Sequence, residues 1–280
     1  MLCSIEQSRV IMFWFKYLIS RGNKVITDKE VREKFQTMVD LPDVLTALHR
    51  LNSRQNKNYR LDSRVNLQIQ RGLDPHLWEG APKGGCSQCA TVFCDFDVIP
   101  KYCFDCYKIM VELNSVVELF KLLMVFENIE LPWDNTRKCM FDPRPNAKVK
   151  FKGFIYCRTL QEAKELLPAV RETVASNISK DISVEVKRGC SEYAQKYPKY
   201  AEISDDKANF KYRKNWDFYE EFADKYWKIE DNIDYDKDAN EADPMRELFA
   251  MQYWLRTAVG LGDISYLILT DGKKLQKLPS

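Results

Sequence analysis

Apolar and polar residues repeat along this chain with two different periods, and the switches between them mark the elements. Over residues 5–20, Val10, Phe13, Trp14 and Tyr17 fall on one helical stripe, which Gly22-Asn23 ends. Thr27 is placed to N-cap a second short helix, DKEVREKF, whose acidic first turn suits the helix dipole. After Asp40-Leu41-Pro42-Asp43, the residues Leu41, Val44, Leu45, Leu48 and Leu51 predict a third helix. Beyond Asn58 the period shortens to two. Val65, Leu67 and Ile69 alternate with Arg64, Asn66, Gln68 and Gln70, which predicts a half-buried strand. Residues 59–61 are placed to pair with it across a turn at Asp62-Ser63.

Residues 72–85 are rich in turn formers and read as a linker, and a cysteine-rich block fills 86–106. From there Ile109, Leu113, Val116, Val117, Phe120 and Leu123 predict one long helix from about Cys106 to Asn128. The stretch 131–150 reads as a loop. FKGFIYC at 151–157 predicts a strand, and Thr159-x-x-Glu162 has the form of a capping box. It opens the helix TLQEAKELLPAVRETVA, in which Pro168 predicts a kink. Ile182, Val184 and Val186 alternate with Ser183, Glu185 and Lys187 in a second strand. Strand, helix and strand make a βαβ unit, for which a right-handed crossover and parallel strands are expected. PMRELFAMQYWLRTAV reads as a late helix with Pro244 in its first turn.

Composition narrows the class. A chain of 280 residues has room for about two domains. Lys and Arg number 43 and Asp and Glu 41, a net charge of +2. That balance excludes a globally basic nucleic-acid coat and an acidic disordered chain. The apolar run VIMFWFKYLI at 10–19 is too short to span a bilayer, Lys16 interrupts it, and no small-residue cleavage site follows. The expectation is a cytoplasmic protein without a membrane partner. Nine cysteines, an odd number in clustered spacings, point to metal ligands and free thiols, not to a disulfide framework.

Cys86-Ser-Gln-Cys89 and Cys103-Phe-Asp-Cys106 are two C-x2-C pairs with residues 90–102 between them. Four thiolates at this spacing satisfy tetrahedral zinc, each pair turning two sulfurs toward one centre. The segment between the pairs is expected to return as a hairpin, and the second pair to sit where the long helix begins. Knuckle, hairpin and helix at 86–106 resemble a treble-clef or zinc-ribbon finger. The resemblance implies structural Zn2+ on Cys86, Cys89, Cys103 and Cys106, closed to substrate, with Cys94 as a spare thiol.

Two basic groups stand out from the neutral background. Arg50, Arg54, Lys57, Arg60, Arg64 and Arg71 face a single acid, Asp62. Three helices followed by a hairpin resemble the winged-helix arrangement in element order. That resemblance implies phosphate contacts at 50–71 and a nucleic-acid or nucleoprotein partner. A solvated helix face is the plainer reading of the same charges. The second group is Arg158, Thr159, Arg188 and Ser191, at the carboxyl ends of the two βαβ strands. Open α/β sheets bind ligands there, and a helix N-terminus attracts anions. Were the strands neighbours, these residues would converge on a phosphorylated small molecule. Cys157 and Cys190 would then lie together with lowered pKa values. Core cysteines and rim charges are the alternative.

The expected fold is α+β in four spans. They are a helical, winged-helix-like module at 1–72, the four-cysteine finger with its long helix at 73–135, a βαβ-containing domain at 136–204, and a helical aromatic-rich tail at 205–280. The tail's aromatics, from Tyr193 to Trp227, fit core packing better than base stacking, because acids accumulate beside them. A binding protein for nucleic acid leads the functional readings. An enzyme or small-anion binder using Arg158, Arg188, Cys190 and Ser191, and a protein-assembly adaptor, stand beside it.

Overall fold

The computed structural model describes residues 25–39, 68–71, 85–133, 135–145, 147–203, 210–226 and 244–275. The helices expected at 5–20 and 41–51, the pairing of 59–61, and Arg50, Arg54, Lys57, Arg60 and Arg64 lie outside these residues. In chain order the described elements begin with α1 (Asp28–Val39), β1 (Gln68–Arg71), α2 (Gly85–Phe96), β2 (Tyr107–Leu113) and α3 (Val116–Asn128). They continue with β3 (Arg137–Phe141), β4 (Phe151–Cys157), α4 (Leu160–Asn177), β5 (Ser183–Arg188) and α5 (Ser191–Lys196). Helices α6 (Asp217–Tyr226), α7 (Pro244–Leu261) and α8 (Tyr266–Leu269) complete the set. The molecule is of mixed α+β class.

The strands form one five-stranded sheet in the order β1-β3-β4-β2-β5, every neighbouring pair antiparallel. From β2 to β5 the chain runs strand-helix-strand-strand-helix-strand, the split βαβ of ferredoxin-like topology. Strands β4 and β5 do run in the same direction, as their βαβ connection requires. They are not neighbours, however. Strand β2 lies between them, with Ile109 opposite both Ile155 and Val186. The parallel direction is as expected, while the adjacency on which the anion site was conditional is not met, a third strand splitting the pair.

That third strand comes from the region expected to be helical. In YKIMVEL, Ile109, Val111 and Leu113 are buried on one face and alternate with Lys108, Met110 and Glu112. Short apolar runs fit either period, and here β-branched Ile109 and Val111 fit the pleat. Asn114-Ser115 then breaks the strand. Ser115 caps α3, its hydroxyl accepting the Glu118 N–H at 3.2 Å. Asp263 accepts a second free donor of that end, the Val116 N–H, at 2.6 Å. The stretch expected to be loop at 131–150 contains β3, whose Cys139 sits opposite Gly153.

Capping reads correctly from the sequence. Thr27 and Glu30 exchange reciprocal bonds at the start of α1, at 3.2 and 2.8 Å. Thr159 accepts the Glu162 N–H at 3.1 Å at the start of α4, which runs on through Pro168.

Helices α3 and α4 cover one face of the sheet. Leu119, Leu122, Phe126, Leu166 and Val170 join Ile109, Val111 and Ile155 in the main core, which α1, α7 and α8 close from outside. Buried Trp254 of α7 meets Phe120 of α3 edge-on, with centroids 5.8 Å apart. No helix among the described residues is long and apolar enough to cross a membrane.

A second core is built of Cys89, Val92, Ile99, Cys103, Phe104, Tyr193, Tyr200 and Trp216. It draws on three of the four expected spans; Tyr193, Tyr200 and Trp216 pack as core as expected, whereas Phe218, Phe222 and Tyr226 of α6 are exposed, against the expectation for the tail.

Gly153 sits where α3 presses on β4, and a Cβ there would come within 2.2 Å of Leu122 and 3.1 Å of Phe126. Gly153→Ala should therefore destabilise by about 1–3 kcal/mol, since buried Leu122 has nowhere to go. Urea unfolding measures it. An unchanged midpoint would contradict the packing described.

Candidate functional site

The cysteine block folds differently from the hairpin the finger pattern implies. Residues 85–96 are helical because Cys89, Val92, Phe93 and Phe96 recur at helical spacing and bury in the aromatic core. The chain turns back at Asp97 (φ 58°), buries Val98 and Ile99, and enters the 3-10 turn Lys101–Asp105 that carries Cys103. Cys106 leads straight into β2, so the second pair opens a strand and not a long helix.

The end of β5 closes over this segment. Gly189 donates its N–H to the Cys106 carbonyl at 2.8 Å and holds φ +49°, so that Cys190 follows immediately beside Cys106. A Cβ on Gly189 would lie 1.9 Å from the Tyr200 hydroxyl oxygen. That hydroxyl donates to the Cys103 carbonyl at 2.6 Å, and the Tyr193 hydroxyl lies 3.6 Å from the Cys103 sulfur. As a result Cys86, Cys89, Cys94, Cys103, Cys106 and Cys190 line one cavity of about 110 Å³. The eight described cysteines are all free thiols. Membership of Cys190 carries no spacing signal in the sequence; only the register of β2 against β5 brings it here.

The electrostatics are those of enclosed soft donors. Contact with Cys89 comes first and burial second in holding the Cys103 thiol well above its usual range. Burial pushes Cys106 up to about 12. Behind them Lys108 is buried, its ammonium over the rings of Phe154 and Tyr156 at 5.1 and 5.4 Å. Burial alone would lower the Lys108 pKa, but Cys190, Tyr156, Cys106 and Cys86 around it outweigh burial and raise it. Held up in this way, the Cys103 and Cys106 thiols favour the neutral form, which a bound cation would reverse by taking thiolates. As placed, the described His, Cys, Asp and Glu side chains do not form a group of three or more able to hold a metal ion.

The four residues expected to bind an anion are not brought together. Arg188 is buried and committed: it donates to the Phe104 carbonyl at 3.1 and 2.9 Å and to the Tyr200 carbonyl at 3.4 Å. The rings of Phe104 and Tyr200 lie 5.1 and 4.9 Å from its guanidinium carbon. Thr159 is used as the α4 cap, and Arg158 is exposed beyond the end of β4. Strand β2 stands between β4 and β5, with Tyr107 opposite both Cys157 and Arg188. Cys157 lies in the main core, where burial raises its pKa instead of Arg lowering it. It does not meet Cys190. Ser191 accepts from Lys187 and, at 3.5 Å, from Arg144.

A different basic cluster forms on the sheet face away from α3 and α4. Lys187 falls to about 8 through burial first, then through Lys108, Lys152 and Arg144. Asp142 binds Arg144 at 2.6 Å and Lys152 at 3.0 Å. Burial would raise this carboxyl, but those bonds hold it well below the usual carboxylate range. Glu192 meets Arg144 at 2.8 Å.

No family model matches the chain, and neither a curated protein nor a solved structure matches it.

The role assigned to Arg188 has a direct check. Arg188→Lys keeps the charge but loses the fork that reaches Phe104 and Tyr200, leaving buried carbonyls unpaired. It should cost about 1–3 kcal/mol in denaturant unfolding. Wild-type stability in this variant would return Arg188 to the pool of ligand-binding candidates.

Proposed function

We propose that the chain is a zinc-stabilised nucleic-acid-binding protein whose basic, aromatic sheet face engages single-stranded phosphate backbone and bases. The observation that carries this reading is the face of the sheet opposite α3 and α4. Lys138, Tyr156 and Lys187 are half-buried there, around buried Lys108, Lys152 and Phe154. The Lys138 ammonium lies 5.9 Å from the Tyr156 ring centre. Antiparallel sheets of this split βαβ topology bind single strands by stacking bases on sheet aromatics while cations take the phosphates. Burial first, and then the neighbouring Lys108, Lys152 and Arg144, disfavour the charged Lys187 amine, and an arriving phosphate offsets both.

The basic segment 50–71 leads to the same place. Its last residues form β1, where Gln70 is in register opposite Lys138 in the row of the basic face, while Arg71 is opposite Arg137 in the row of Ile155 on the other face. The proposed contacts at Arg50, Arg54, Lys57, Arg60 and Arg64 therefore precede an edge strand that adjoins the basic face.

Zinc suits the cysteine pocket by its chemistry. Cys86, Cys89, Cys103 and Cys106 supply soft thiolates, and buried Lys108 offsets the net negative charge that four thiolates leave on a divalent ion. The ion's contribution when bound is structural. The pocket's own residues fix the end of β2, and hence the lysines it carries. The small-anion reading loses its support once Arg188 is spent on carbonyls.

Fluorescence anisotropy against short single-stranded and duplex nucleic acids across a salt series tests the proposal. Wild-type protein should bind single strands with a steep log–log salt slope, and Lys138→Glu should shrink that slope by about 1. Absence of binding at low salt would retire the reading. Binding should also weaken as pH rises from 7 to 9: an anion favours the charged Lys187 amine, which deprotonates near 8. Lys187→Gln should flatten that profile; an identical pH dependence in the variant would exclude the residue from the contact.

A further inference from the structure

We infer that the basic face ends in a site for a terminal phosphate, formed where Lys187 and Arg144 converge on the Ser191 hydroxyl, so that the protein recognises phosphorylated ends of single strands. The inference rests on the nucleic-acid reading given above and names the part of the strand that this face takes. Three observations carry it.

The first is the meeting point itself. Lys187 donates to the Ser191 oxygen, and Arg144 reaches the same atom at 3.5 Å. Two cations thus share one neutral oxygen, and among the described residues the Ser191 O–H has no acceptor of its own. An ammonium, a guanidinium and a hydroxyl free to donate are the groups that take phosphate oxygens.

The second is charge. Lys187 stands directly opposite Lys108 in the β2–β5 register, and like charges so placed cost stability. Among the described residues neither lysine is paired with a carboxylate. Asp142 is taken by Arg144 and Lys152, and Glu192 by Arg144. Glu185, one row along β5, makes no ion pair among the described residues. Lys187 and Arg144 make the contact, and Lys108, which also faces the thiols, adds its field. A phosphomonoester carries about two negative charges at neutral pH and an internal phosphodiester one, so the terminal group is the better match.

The third is position. Strand β5 is the edge of the sheet, and α5 with Ser191 follows it directly. Lys187, Lys108 and Tyr156 form one row across β5, β2 and β4. Two strand spacings, about 10 Å, separate the outer strands of that row. A nucleotide held by its phosphate at Ser191 can therefore lay its base toward Tyr156, and the strand continues inward over Lys138.

Fluorescence anisotropy with one single-stranded sequence carrying a 5′ phosphate, a 3′ phosphate or neither tests this. A phosphorylated form should bind about tenfold tighter than the unphosphorylated strand, and the end that does so gives the strand's polarity on the face. Ser191→Asp puts a carboxylate on Lys187 and Arg144 and should erase that advantage, whereas Lys138→Glu should weaken all three strands and keep the ratio. Equal affinity of wild-type protein for all three strands, or an undiminished advantage in Ser191→Asp, would overturn the inference and leave the nucleic-acid reading standing. No binding of any strand would overturn both. A nucleoside monophosphate that competes as well as the phosphorylated strand would overturn end recognition in favour of a small phosphorylated ligand. The wild-type comparison decides the matter even if Ser191→Asp fails to fold.

Discussion

Strand β2 is hydrogen-bonded along both edges, to β4 on one side and β5 on the other, and it starts directly after Cys106. The rest of the described structure depends on that placement. On one face its Ile109, Val111 and Leu113 are buried beneath α3 and α4. On the other it sets Lys108 opposite Tyr156 and Lys187. At its start it delivers Cys106 to the hydrogen bond from Gly189. One seven-residue strand therefore fixes the main core, the basic face and one wall of the thiol cavity.

Buried side chains tie the aromatic core together through backbone carbonyls. Tyr200 donates to Cys103, and Arg188 to Phe104, both in the turn between α2 and β2. Buried carbonyls without partners are costly, so these bonds stabilise the aromatic core chiefly by what their loss would expose. Tyr193, Tyr200, Phe210 and Trp216 then pack edge-on or tilted around them. Cys89 and Cys103 are packed into this aromatic shell.

Where one residue pattern admits one geometry, the sequence was legible. The Thr27 cap, Thr159 with Glu162 and the strand 151–157 appear as read, and the alternation read over 182–187 is the strand Ser183–Arg188. Misreadings arose where two periods fit. Ile109, Leu113, Val116 and Val117 lie on a helical stripe, yet a strand, a two-residue break and a separate helix satisfy the same positions. The paired cysteines announced a shared pocket but not its shape, because the helical recurrence of Cys89, Val92 and Phe96 outweighs the hairpin that a finger would use. Long-range facts left no local trace. Neither the insertion of β2 between β4 and β5, nor the arrival of Cys190, nor the burial of Arg188 follows from spacing.

Function, on this account, comes from bracing a charged face. Lys108 links the two halves of the proposal, since one ammonium neighbours both the thiols and the aromatic rings of the sheet. The most direct test is the metal content of protein purified without chelator, followed through chelation by near-ultraviolet circular dichroism. The account predicts about one zinc per chain, and a loss of the Phe104, Tyr193, Tyr200 and Trp216 signal when the zinc is withdrawn. Protein that carries no zinc, or whose aromatic signal is indifferent to its removal, would contradict it.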